Sequence, residues 1–371
     1  MLLAGCVEQL DYRAPAPWQD RTAVPAVGAG KIVVTNSGED SVTWIDLETL
    51  EVVATMPVGL YPAEREGPHH GAAGPGAIYV GLSNFVPGGG GGPHGSHGDG
   101  TAAGYVLKYS VADGALLGAT LIDRNPGDVR LTPDARTVLV SHFDLRKIDE
   151  GGSYQEMSSR LAILDAATLS RRQMVPVCPG AHGIVADDER AWVTCWATDE
   201  IAEVGLLPPY AVTRRHLGSA PIDPLAPAEG PYAVSRHGDG SLWVSCQTTG
   251  VVRVIDASGE RASIAVGGVP YFGAFTGDGT RFLVPSQGTE TLSLVDVASG
   301  AVQKMALPAV ACRAPHAVLV LPGDARALVV CEGDHVGPGT VAVVNIAIPT
   351  PAVEKFVRVG VFPDDLLLVT P

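Results

Sequence analysis

The sequence predicts an all-β fold, a seven-bladed β-propeller of four-stranded blades closed by its last strand. Three observations carry this. The stretch 31–59 holds three short strands divided by polar turns. A strand start, usually led by proline, then recurs seven times along the chain. The seventh start has no further strands after it, whereas the opening stretch has strands two to four and no strand one before them. The C-terminal strand therefore completes the N-terminal blade, which ties the two ends together and leaves no free sheet edge. Six or eight blades are the alternatives if an insertion is misassigned.

In the opening stretch Ile32-Val33-Val34-Thr35 is β-branched and ends in the turn Asn36-Ser37-Gly38-Glu39-Asp40. Ser41 to Ile45 alternates and ends on Asp46, and Leu47 to Leu50 is a polar turn. Val52 to Met56 then stops at Pro57-Val58-Gly59. β-Branched runs cut by Gly, Asn, Asp and Pro are strand and turn signals. The recurring starts are Pro68-His69-His70-Gly71, Pro126-Gly127-Asp128-Val129, Ala181-His182-Gly183-Ile184 and Pro231-Tyr232-Ala233-Val234. They continue at Pro270-Tyr271-Phe272-Gly273, Pro315-His316-Ala317-Val318 and Pro363-Asp364-Asp365-Leu366. A second strand follows each of the first six, as in Ala77 to Val80, Thr137 to Val140, Ala191 to Thr194 and Leu242 to Ser245. Third strands often close on Asp or Asn, at Asp165, Asp256, Asp296 and Asn345. Three insertions interrupt the pattern: Phe85 to Gly104 with its glycine run, the charged Phe143 to Ser159, and the Pro-rich Leu206 to Gly230.

The totals agree. A chain of 371 residues, 46% hydrophobic, can bury a large core. Glycine is abundant, aromatics make up 6%, and no long segment has helical apolar periodicity. A net charge of −15 argues against nucleic acid and against an anionic membrane surface as direct partners. No stretch is long and apolar enough to span a bilayer.

The strand ending Val33-Val34-Thr35-Asn36 resembles the repeat of the YVTN β-propeller family. The resemblance runs from Lys31 to Val369, with later units drifting to Thr194-Cys195, Ser245-Cys246 and Val330-Cys331. It implies the propeller fold and says little of function, because the family includes surface-layer, periplasmic and redox-associated proteins. At the N-terminus Leu3-Ala4-Gly5-Cys6 resembles the lipobox of bacterial lipoproteins, although Met1 to Gly5 is too short for a signal peptide. The expectation is that residues 1–6 are the remnant of such a signal, with lipid on Cys6. Residues 7–30 are then a Pro/Ala-rich tether and 31–371 the propeller. The protein is expected to be exported and held at the periplasmic or cell surface by that lipid alone.

In a four-stranded blade the start of strand one, the end of strand two and the strand-two-to-three loop share one rim, here called the top. His69, His70, His182 and His316 are at strand-one starts, His142 is at a strand-two end, and His94, His97 and His335 are in strand-two-to-three loops. Only His216 and His237 are read as lying elsewhere. The aligned starts place His69, His182, Tyr232, Tyr271, His316 and Asp364 around the mouth of the central channel, with Gly127 in the remaining blade. His70, His94, His97, His142 and His335 are secondary candidates on the same face. Imidazole and carboxylate suit Cu or Zn, but a Pro-His-Gly start also serves as a simple strand cap. Of the acidic pairs, Asp187-Asp188 reads as a solvated turn, whereas Asp364-Asp365 could face the channel.

The pattern Cys178…His182…Cys195 recurs as Cys312…His316…Cys331. In an oxidising compartment Cys178–Cys195 and Cys312–Cys331 would be disulfides stapling a top loop to its own blade, leaving Cys246 unpaired. A Cys195–Cys246 bond and thiolate–imidazole metal ligation are the alternatives. No Gly-x-Ser-x-Gly elbow, phosphate loop or haem motif is present. The favoured reading is therefore a lipid-anchored module that binds a protein or small molecule on its top face. The alternative is a metal-dependent redox or hydrolytic enzyme. Propellers of the wider superfamily, which include quinoprotein dehydrogenase heavy chains, a copper-dependent reductase with a ring of histidines, and lactonase-type enzymes, imply that second reading.

Overall fold

The computed structural model describes residues 24, 26, 28–60, 65–83 and 99–371. Seven antiparallel sheets form a ring of blades. Blade 1 pairs the C-terminal strand Pro363–Val369 with Lys31–Asn36, followed outward by Ser41–Asp46 and Val52–Pro57. Blades 2 to 5 run outward from Pro68–Gly74, Pro126–Leu131, Ala181–Ala186 and Pro231–Arg236, and blade 7 runs from Pro315–Val320. Blade 6 has the same plan, but its innermost strand is split into Val269–Pro270 and Ala274–Phe275. The predicted blade count and the closing strand are both observed.

Burial explains the sequence patterns. Second strands such as Lys31–Asn36 and Ala77–Leu82 are buried at every position, because each is covered on both faces by neighbouring blades. Their middle residues, Ile32-Val33-Val34 and Ile78-Tyr79-Val80, read accordingly as apolar runs. Outermost strands such as Val52–Pro57 and Val302–Ala306 have much of their surface exposed. The core is a set of seven apolar clusters, one slab at each junction between adjacent blades. Val24 is buried in the slab between blades 1 and 2, beside Met56 and Leu116, so part of the segment read as a tether packs on the ring. The acids that end third strands are turn caps: Asp165 Oδ1 accepts from Ala167 N and Thr168 N, and Asp46 Oδ1 from Thr49 N. Among the described residues no helix is long and apolar enough to cross a membrane.

The second insertion and His216 differ from the sequence reading. The charged insertion Phe143 to Ser159 folds into two short helices, Leu145–Glu150 and Tyr154–Met157, N-capped by Asp144 and Ser153. His216 ends the outermost strand of blade 4 opposite Glu200, and that register places it on the top rim at the periphery.

Both expected disulfides form, and Cys246 is a buried free thiol. Cys312–Cys331 joins the loop entering blade 7 to that blade's second strand, as expected. Cys178–Cys195 differs, because Cys178 belongs to Arg171–Pro179, the outermost strand of blade 3. This bond therefore stitches blade 3 to blade 4. The 17-residue separation makes its loop-closure contribution about 2–4 kcal/mol. The double substitution Cys178→Ala/Cys195→Ala is expected to lower the unfolding free energy measured in urea by that amount, with a correspondingly lower midpoint. An unchanged midpoint would show that the slab between blades 3 and 4 needs no covalent stitch.

Candidate metal centre at the channel mouth

The innermost strands break register with their neighbours close to the top. In blade 2 the ladder jumps from Pro68↔Leu82 to Gly71↔Val80, leaving His69 and His70 in the break. Similar breaks hold Gly127 and Asp128, His182 and Gly183, Tyr232, His316, and Asp364 and Asp365. In blade 6 the gap between the two strand pieces holds Tyr271, Phe272 and Gly273. A bulge re-aims side chains. Here it turns one or two residues per blade into the channel, in two tiers. The upper tier holds His69, His182, Tyr232, Tyr271, His316 and Asp364, and the lower holds His70, Asp128, Phe272 and Asp365. Glycine serves where backbones approach closely: a Cβ on Gly183 would lie 2.6 Å from the Tyr232 carbonyl oxygen.

Hydroxyl groups set the height of the upper tier. In blades 1, 3, 4 and 5 the penultimate residue of strand two donates to the carbonyl of the next blade's channel residue: Thr35 to His69 (2.6 Å), Thr194 to Tyr232 (2.9 Å) and Ser245 to Tyr271 (2.8 Å). Ser141 does the same for His182. Acidic side chains hold the segment just ahead of some starts. Asp40 accepts from Glu66 N and Gly67 N, and Asp199 from Ala228, Glu229 and Gly230 N.

The geometry brings His69, His70 and His316 together. All three are buried, and one ring nitrogen from each lies within 4.8 Å of the others. Their ring centroids are 4.3 Å (His69–His70), 5.4 Å (His70–His316) and 6.3 Å (His69–His316) apart. Two of the rings are oriented by the closing strand. His70 Nδ1 lies 3.3 Å from Asp365 Oδ2 and 3.5 Å from Asp128 Oδ1, and Arg130 pairs with Asp128 at 3.2 Å. His316 Nδ1 is 2.7 Å from the Asp364 carbonyl oxygen. His70 Nε2 is buried and has no hydrogen-bond partner among the described residues.

A second set, His316, Glu332 and Asp364, also offers ligand atoms within 4.8 Å of one another, all buried. Glu332 accepts from Gln287 Nε2 at 2.7 Å and contacts His335 Nε2 at 2.8 Å, and His335 stacks on Phe362. Asp364 accepts from Ser37 Oγ. Burial pushes the Asp364 carboxyl well above the usual range, and the neighbouring Glu332 and Asp365 push it the same way. Asp365 goes the other way: burial opposes its ionisation, but His70 and Arg130 hold it below the usual range. Burial pushes the hydroxyls of Tyr232 and Tyr271 well up.

Other predicted residues lie outside these ligand sets. His182 stacks on Tyr232 at 3.7 Å and packs edge-on against Phe143, in the aromatic wall of the channel. Tyr271 packs on Tyr232 and on His316 in the same wall. His142 is buried away from the channel with Nδ1 at the Arg160 carbonyl, and burial lowers its pKa. His94, His97 and Cys6 lie outside the described residues. Glu332, Asp128 and Arg130 were not anticipated. Below the centre, Phe272 and Arg130 line an open pocket of about 300 Å³ together with Ile184, Val234, Val318 and Leu366.

No family model matches the chain, and no curated protein matches it. Solved structures do. The chain is similar to the dihydro-heme d1 dehydrogenase NirN in complex with DHE, at TM-score 0.60 and 18% identity, over 94% of this chain and 68% of that one. It is similar to the Pseudomonas aeruginosa periplasmic gluconolactonase PpgL, at TM-score 0.65 and 18% identity, over 92% of this chain and 99% of that one. It is also similar to a putative 6-phosphogluconolactonase from Bacteroides uniformis, at TM-score 0.66 and 13% identity, over 92% of this chain and all of that one. At these identities the likeness is one of fold.

The hydroxyl contacts between blades can be tested apart from any ligand. Thr194→Val keeps the shape and removes the donor to the Tyr232 carbonyl, so it is expected to cost about 1–3 kcal/mol in chemical denaturation. A loss indistinguishable from zero would show that the contact does not set the position of Tyr232.

Proposed function

We propose that the protein is an exported binding propeller whose ligand at the channel mouth is a transition-metal ion, Cu or Zn. The observation that carries the reading is the buried trio His69, His70 and His316, with the Nδ1 atoms of His70 and His316 held by the closing strand. A histidine whose other nitrogen faces a carboxylate or carbonyl is the usual metal-binding arrangement, since that contact fixes the tautomer and raises ligand basicity. Imidazole suits both ions. Bonds of about 2.0–2.1 Å put ligand nitrogens roughly 3.4 Å apart, so side-chain shifts on the order of 1 Å would draw the trio around one ion.

Export is supported by two disulfides in one chain. Anchoring rests on Leu3-Ala4-Gly5-Cys6 and its likeness to a lipobox. The YVTN-type repeat, and a protein or small-molecule partner on the top face, belong to the same reading. A metal-dependent redox or hydrolytic enzyme is the second reading. It is favoured by the carboxyl groups of Glu332 and Asp364 beside His316, which have the chemistry of a general base.

Elemental mass spectrometry on untagged chain tests the metal. About one Cu or Zn per chain is expected, lost in His70→Ala/His316→Ala. No metal after incubation with both ions would leave the histidines as packed strand caps. For the anchor, palmitate label is expected in protein expressed from its native locus and absent in Cys6→Ser. An unlabelled wild-type chain would refute the anchor.

A further inference from the structure

A groove of about 680 Å³ lies between blades 4 and 5. Arg190 and Leu242 begin second strands there, and the turns at Asp239-Gly240 and Ala257-Ser258 form its edge. These are the strand ends opposite the channel mouth, so the groove belongs to the bottom face. We infer that it is a binding site for a small organic anion whose charged group is a carboxylate or a phosphate. The inference is independent of the metal reading above.

The groove has charged donors to spare. Arg190, Arg215 and Arg236 line it, and the guanidinium groups of Arg190 and Arg236 lie 5.1 and 4.9 Å from the centre of the Trp192 ring. Arg236 meets Asp187 at 3.8 Å, beyond hydrogen-bond distance. Arg190 meets Asp187 at 3.5 Å and Glu203 at 3.4 Å, both long contacts. Arg215 crosses from the outermost strand of blade 4 to the carbonyl oxygens of Asp256 and Ala257 in blade 5, and forms no ion pair among the described residues. Each guanidinium has five N–H groups, so most of these donors are left for a ligand or for water. Packing on the indole holds two of the three in place beforehand, which lowers the cost of binding.

The acids of the groove are engaged locally. Asp239 accepts from Ser241 N at 2.8 Å, from Ser241 Oγ at 2.6 Å and from Arg261 at 2.9 Å. Asp256 accepts from Ser258 N and Oγ, and Glu203 from Trp192 Nε1 at 3.1 Å. Net charge therefore does not select the ligand, because carboxylates are present too. Selection comes from directed donors without matching acceptors, and a guanidinium fork fits the paired oxygens of a carboxylate or phosphate. Ile201, Leu242 and Ile255 line the groove beside Trp192 and give an organic body an apolar surface to cover. The volume is that of a small-molecule site.

The test is isothermal titration calorimetry of untagged full chain with benzoate, with phenyl phosphate and with neutral benzyl alcohol, at one ionic strength. Saturable binding of at least one of the two anions is expected, at about one per chain, with benzyl alcohol weaker by about tenfold or more. The anion bound more tightly identifies the charged group. Arg236→Gln, and independently Arg215→Gln, are each expected to weaken that binding by about tenfold or more. Arg215 is not one of the two guanidinium groups packed on Trp192, so its variant removes donors and leaves that stack in place. Near-ultraviolet circular dichroism checks that the blades are intact. Loss of binding in Arg215→Gln with an unchanged spectrum would support the site most directly. Benzyl alcohol binding as tightly as the anions would overturn the inference, since the groove would then be an apolar pocket. Anion binding that survives both substitutions would overturn it by placing the anion elsewhere, and so would the absence of binding by either anion.

Discussion

The structure depends on the hydrogen-bond ladder between Lys31–Asn36 and Pro363–Val369. It joins residues more than three hundred positions apart, with Val34 opposite Leu366 and Asn36 opposite Pro363. Around that ladder Ser37 N donates to Phe362 O, Gly38 N to Val361 O, and Gly360 N to Asn36 Oδ1. Thr35 Oγ1 is a hinge point of the network: it accepts from Asp365 N and donates to the His69 carbonyl. Closing so long a loop is entropically costly. Once made, it removes the two edges that an open ring of sheets would expose.

The same closure assembles the centre. Asp364 and Asp365 reach the channel only when the last strand docks, and each orients one histidine, His316 through a carbonyl and His70 through a carboxylate. The chain's final strand thus acts as structural latch and as outer shell of the site. A ligand that needs His70 and His316 in these orientations binds the closed ring and not the open one, so occupancy and closure stabilise each other by mass action.

Position within the centre comes from small backbone devices. Register breaks turn the inner-strand residues into the channel, hydroxyl groups from strand two hold their carbonyls, and acids such as Asp40 and Asp199 clamp the incoming segments. The drift from Thr35-Asn36 to Thr194-Cys195 and Ser245-Cys246 keeps the hydroxyl, whereas Val330-Cys331 loses it. The shared hydroxyl has a physical reason: it bonds to the next blade, while the following residue serves its own sheet.

Much of this was legible in the chain itself. β-Branched runs between Gly, Asp and Pro turns mark many of the strands, because the middle of a strand buried on both faces is apolar. The unmatched first and last units imply closure, and the repeated cysteine spacing anticipates both bonds. His69, His316 and Asp364 were placed at the channel because one residue per blade aligns there. Only the tertiary structure decided which of them meet. Counting one residue per blade ranked His70 as secondary, yet the bulge gives blade 2 a second inward residue. That depends on a register break, which is a property of paired strands and leaves no mark in either strand alone. Glu332 joins the centre from the end of another strand, and Cys178 reaches across to blade 4 because the outermost strand of blade 3 extends to Pro179. Local propensity and periodicity determine the elements; meetings between residues distant in sequence are set by how the blades pack, and packing belongs to the closed ring.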